Sequence, residues 1–143
     1  MFDDANQATI FLPMLVVVAL TFVAFVRMAA ARGAVAKQTD PNFYRAHLGG
    51  SEPESAVVAV RHYHNLLELP TLFYAACLTA FVLGAVSGWV LLWAWCYVAA
   101  RVLQSAVHMT YNKPVHRGGA FVLGVVFMLA LWVTLAMAVF ELI

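Results

Sequence analysis

The sequence predicts an all-α membrane protein, a bundle of four transmembrane helices forming a single domain over residues 1–143. Three observations carry this prediction. The first is composition. Of the 143 residues, 64% are hydrophobic and 10% charged, and the mean hydropathy is +0.87. A soluble domain is about half apolar and about one quarter charged. The second is distribution: the apolar residues fall into four blocks, each near the roughly 20 residues a helix needs to cross a bilayer. The third is pattern. The blocks lack period-2 alternation and run well past the roughly 9–11 residues of a barrel strand. Disorder is excluded by the same composition, because it requires low hydrophobicity with high net charge. Eight Lys and Arg against seven Asp and Glu leave a net charge of +1, too balanced to point to nucleic acid.

The first span is expected over about 9–31 and opens with IFLPMLVVVALTFVAFV. Its flank is acidic (Asp3, Asp4), and no small-residue cleavage site precedes the basic run, so it reads as a span and not a signal peptide. Residues 32–54 hold Pro41, Gly49, Gly50 and Pro53 and form the longer loop. The second span, about 55–86, carries the polar run RHYHN in its first half. Gly84, Ser87 and Gly88 make a tight turn into the third span, about 89–108. A shorter loop, 109–117, follows, with Pro114 expected as a helix stopper. The fourth span, about 118–140, has no charged residue inside it. Cys77 and Cys96 lie within apolar segments, outside any CxxC, and read as structural thiols.

Charge sets the orientation. Arg27, Arg32, Lys37, Arg45 and Arg61 flank the longer loop, Lys113 and Arg117 the shorter one, and the opposite segments carry no Lys or Arg. The positive-inside rule then places both loops in the cytoplasm and both termini outside.

Ionisable residues inside a span are costly and point to function. On the second helix Arg61, Asn65 and Glu68 share a face, joined by His64. Glu68 lies about 20 Å from the helix start at ~1.5 Å per residue, so it requires a partner. On the third helix Arg101, Gln104, Ser105 and His108 fall at i, i+3, i+4 and i+7. Pairing Arg101 with Glu68 is the simplest way to satisfy both. With Arg117, these residues lie toward one side of the membrane. Two readings stay open: polar contacts that hold the bundle together, or a site for a polar or anionic ligand. Arginines grip carboxylates in bidentate fashion, and Asn with Glu can hold an amide or amine. The set therefore suits a small zwitterionic molecule with more than one carboxylate. His64, Glu68 and His108 form the one metal-like trio, and no metal is expected.

The pattern R-x-x-x-N-x-x-E followed by Pro (Arg61, Asn65, Glu68, Pro70) and the Ala-Arg-Val-Leu run at Ala100–Leu103, with Arg117 closing the next loop, resemble a known family. It is that of the membrane-associated proteins of eicosanoid and glutathione metabolism, here in a divergent form of bacterial type. The resemblance covers essentially the whole chain. It implies a homotrimer in an inner membrane, both termini periplasmic, with membrane lipids around it and glutathione held between subunits near the cytoplasmic side. It assigns glutathione contacts to Arg61, Asn65 and Glu68, with Arg101 in the same network, and thiolate stabilisation to Arg117. His64, Gln104 and His108 stand where eicosanoid-forming members carry Arg, His or Tyr, and Tyr, and Gly118 replaces a hydroxyl residue. Tyr111 is the available substitute for the missing tyrosines. The function implied is glutathione-dependent transfer or peroxide reduction on a lipophilic electrophile. The alternative is a protein of the same fold that binds a lipid or small amphiphile without glutathione chemistry.

Overall fold

A backbone surrounded by lipid must satisfy its own N–H and C=O groups, and a helix does so within one segment. The computed structural model describes residues 6–46, 50 and 52–142. Asp3, Asp4 and Gly49 lie outside the described residues. A 3-10 turn, Gln7–Ile10, leads into α1 (Phe11–Val35), followed by α2 (Pro41–Ala46), α3 (Glu54–Val82), α4 (Gly88–Met109) and α5 (Pro114–Leu142). Four segments, Gln7–Val35, Glu54–Val82, Gly88–Met109 and Pro114–Glu141, are long and apolar enough to cross a membrane. The architecture is all-α and multi-pass.

The ends of the helices differ from the sequence expectation in ways that local chemistry explains. α1 continues past Ala31 to Val35, and the short α2 occupies part of the expected loop 32–54. α3 stops at Val82, where Gly84 takes φ +63°. There Gly84 N–H donates to the Phe81 carbonyl at 3.1 Å and Ala85 N–H to the Ala80 carbonyl at 2.9 Å. This Schellman arrangement closes the orphan carbonyls and calls for glycine at the left-handed position. Ser87 then caps α4, its hydroxyl accepting from Val90 N–H. The main correction concerns Pro114. It does not stop a helix; it opens α5, because the first helical turn has no use for the missing N–H and the fixed φ suits it. The loop shrinks to residues 110–113, and Arg117 enters the first turn of α5.

Contacts group the chain into two units, Met1–Ala19 with Leu69–Ile143, and Leu20–Glu68. In the first unit α4 packs along α5. Its core joins Ile10, Val17, Phe73, Tyr97, Leu131 and Leu135, all nearly inaccessible, and Phe73 stacks on Tyr97 at 4.5 Å. Trp93 stacks between Trp89 and Phe127, at 6.2 Å from each. The Gln7 side chain pairs with both backbone groups of Val86, accepting from its N–H at 3.0 Å and donating to its carbonyl at 3.4 Å. In the second unit Arg32 grips buried Glu52 through two hydrogen bonds, at 2.8 and 3.2 Å, and lies over the Tyr44 ring at 5.8 Å. Arg–carboxylate forks of this kind hold a loop in one geometry. Phe22, Val26, Val122, Leu129 and Val133 are exposed, as suits helices whose solvent is hydrocarbon.

Candidate functional site

The two polar faces meet opposite environments. On α3, within the Leu20–Glu68 unit, Arg61, His64 and Glu68 are exposed and Asn65 is half-buried. Asn65 donates through Nδ2 to the Arg61 carbonyl at 2.9 Å, a bond from i to i−4 that steadies its amide on the helix. On α4 the polar residues turn inward: Arg101, Gln104, Ser105 and His108 are all buried, Arg101 completely.

Arg101 is held by its own helix and by α5. Its Nε donates to Tyr97 Oη at 2.9 Å, one turn earlier, and its Nη1 donates to Gln104 Oε1. The guanidinium carbon lies 5.3 Å from the Tyr97 ring and 5.3 Å from the Phe121 ring. Such aromatic faces attract a cation, and more strongly when it is desolvated. Gly124 of α5 lies beside them: a Cβ there would stand 3.7 Å from Ala100 Cβ and 3.9 Å from both Arg101 and Tyr97. No carboxylate forms an ion pair with Arg101 among the described residues, and its buried Nη2 has no hydrogen-bond partner there. A buried guanidinium carrying an open donor suits one further acceptor, and a carboxylate best of all.

Arg117 and Tyr111 stand at the turn between α4 and α5. Asn112 takes φ +44°, a left-handed conformation that Asn tolerates better than most residues. Its N–H donates to the Val107 carbonyl at 2.8 Å, closing α4. Its Oδ1 accepts from Arg117 Nη1 at 2.9 Å, which leaves the half-buried guanidinium aimed by the turn. Tyr111 is exposed, and its hydroxyl is shared with His116 Nδ1 at 3.0 Å, the two rings meeting edge to face at 5.7 Å.

Of the expected site residues, the structure joins Arg101 directly to Gln104, with His108 on the same buried side of α4. Arg117 and Tyr111 share one turn but bond to different partners. Arg61, His64, Asn65 and Glu68 share a face of α3 in the other unit. Sequence reasoning missed Tyr97, Phe121, Asn112 and His116 as partners. Tyr97 stands four residues before Arg101, a spacing that signals contact on a helix. Phe121 comes from another helix and has no such signal. Among the described residues no group of three His, Cys, Asp or Glu is placed to hold a metal ion.

Comparison with curated proteins and with solved structures gives no match. A family model does match, over residues 10–137, and so reaches into all four apolar helices and includes each polar residue of the candidate site. By that match the chain belongs to the MAPEG family.

Proposed function

We propose that this chain is a glutathione-dependent transferase or peroxidase acting on a lipophilic electrophile. Family membership points to glutathione-related activity at a membrane. The observation that carries the reading to this chain is Arg101, a fully buried guanidinium with an open Nη2. That donor fits a carboxylate of glutathione. Gln104, His108 and Tyr111 would line the same site, and Arg61, His64, Asn65 and Glu68 on α3 would serve a site shared with a neighbouring copy. Arg61, His64 and Glu68 are exposed on a helix that crosses the membrane, where charge facing lipid is costly. A homotrimer in which neighbouring copies cover this face removes that cost and completes the site between subunits. The preferred setting is a bacterial inner membrane, with the Arg- and Lys-bearing loops cytoplasmic.

Glutathione supplies the nucleophilic sulfur. The residues supply position and charge. Arg117, steadied by Asn112 at the start of α5, favours the anionic form of a thiol beside it. Arg101 would hold a carboxylate, the α3 face would offer partners for carboxylate and amine at a site shared with a neighbouring copy, and the apolar spans would admit a substrate dissolved in lipid.

A second reading, a protein of this fold that binds an amphiphile without thiol chemistry, draws on the existing engagements of Gln104 with Arg101 and of Tyr111 with His116. Calorimetry with millimolar glutathione, followed by conjugation of an electrophilic aromatic, separates the two. The enzyme reading expects heat and turnover. Neither heat nor thiolate absorbance leaves only the second reading.

A further inference from the structure

Arg101 is the least accessible of the described Arg, Lys, Asp and Glu residues, and the groups that already hold it decide how a ligand can engage it. A guanidinium grips a carboxylate with two parallel N–H groups, drawn either from its Nε–Nη2 edge or from its Nη1–Nη2 edge. The first edge is closed. Nε has one hydrogen, and it goes to Tyr97 Oη at 2.9 Å. Tyr97 is fixed, being fully buried with its ring stacked on Phe73 at 4.5 Å. The second edge joins Nη2, which has no partner among the described residues, to Nη1, which donates to Gln104 Oε1. A guanidinium has no acceptor atom, so the end of the Gln104 amide that faces it must be the oxygen. That oxygen occupies the nitrogen that a two-pronged carboxylate needs. The other end of the amide, Nε2, has no hydrogen-bond partner among the described residues. The last torsion of a glutamine is broad and roughly two-fold, so a half turn exchanges oxygen for nitrogen at little cost.

We propose that Gln104 is a built-in substitute for the ligand's carboxylate and the residue that selects for one. With the site empty, its amide oxygen rests on Arg101 Nη1. When a carboxylate engages Nη1 and Nη2, two acceptor oxygens repel on one nitrogen, the amide turns, and Nε2 donates to the incoming group. Gln104 thereby changes from competitor to contact. A neutral ester has no charge to offset the lost bond and leaves Gln104 in place. The exchange rests on the glutathione reading above, in which Arg101 takes a carboxylate.

The test uses the full chain purified in detergent. Calorimetry measures binding of glutathione and of its diethyl ester, blocked at both carboxyls, and thermal unfolding is followed without ligand. The wild type is expected to bind glutathione over the diester by roughly tenfold. Gln104→Glu nearly preserves size and shape and places a permanent charged acceptor on Arg101. It should raise the ligand-free midpoint by roughly 2–5 °C, weaken glutathione binding roughly tenfold and largely abolish the preference over the diester. A protein that is more stable yet binds less well is an outcome that a purely structural Gln104 does not give. Gln104→Leu removes both ends of the amide, and should lower the midpoint by roughly 2–5 °C and weaken glutathione binding roughly three- to fivefold. Helical circular dichroism checks that both variants fold, and Gln104→Glu alone decides the matter if the leucine variant does not. Weaker binding together with a lower midpoint in Gln104→Glu marks ordinary damage and overturns the proposal, as does equal binding of glutathione and diester by the wild type. A wild type that binds no glutathione overturns the enzyme reading and the exchange with it. Glutathione binding that Gln104→Glu leaves intact overturns the exchange alone.

Discussion

Arg101 and Arg117 differ in what surrounds them, and the difference sets what each substitution should do. Arg101 uses two edges of a planar fork and two aromatic faces, a geometry that a lysine ammonium does not reproduce. Arg101→Lys should lower the midpoint of thermal unfolding in detergent by roughly 3–8 °C and weaken glutathione binding about tenfold. Unchanged values for both would remove Arg101 from the site. Arg117 stands nearer the surface, so Arg117→Ala should leave stability almost unchanged. Turnover should fall roughly 10- to 100-fold, with a smaller change in glutathione affinity. Asn112 serves two purposes, a left-handed backbone and an amide that holds Arg117, and two substitutions separate them. Asn112→Gly keeps the backbone and loses the amide; Asn112→Ala loses both. Turnover should fall roughly tenfold in each, while only the alanine variant loses about 1 kcal/mol of stability. Wild-type turnover in the glycine variant would show that the amide does not position Arg117.

Among the helices, close approach decides how Arg101 is held. Gly124 brings α5 against Tyr97 and Arg101 at distances that an added methyl group satisfies as ordinary contact. Gly124→Ala should therefore be tolerated. Gly124→Leu overfills the same space and should cost about 1–3 kcal/mol, seen as a lower thermal midpoint with a matching loss of glutathione affinity. The four long helices were legible from sequence because predominantly apolar stretches of that length have few other solutions. The α3 and α4 faces were legible as faces, because i, i+3, i+4 and i+7 spacing does not depend on packing. Which face is buried was not legible. A helix meant for lipid is apolar on most sides, so hydrophobic pattern does not say which side meets protein. The start of α5 was misjudged because proline ends a helix from within but opens one from the first turn. Contacts between distant residues, such as Gln7 with Val86 or Arg101 with Phe121, leave no periodic trace in the chain.

The molecule as a whole combines an exposed polar face on a membrane-crossing helix with a buried arginine that has a donor to spare. Mass measurement in mild detergent should find three copies of the 15.7 kDa chain. A strictly monomeric protein would leave Arg61, His64 and Glu68 facing lipid and would contradict the assembly. The central claim is that this chain binds glutathione and makes its sulfur anionic. It is tested most directly by adding millimolar glutathione to the purified protein and following thiolate absorbance, with the wild type beside Arg117→Ala. A saturable thiolate signal is expected in the wild type and should be largely lost in Arg117→Ala while glutathione still binds. A wild type that gives no thiolate signal, or a signal equally strong without Arg117, would contradict it.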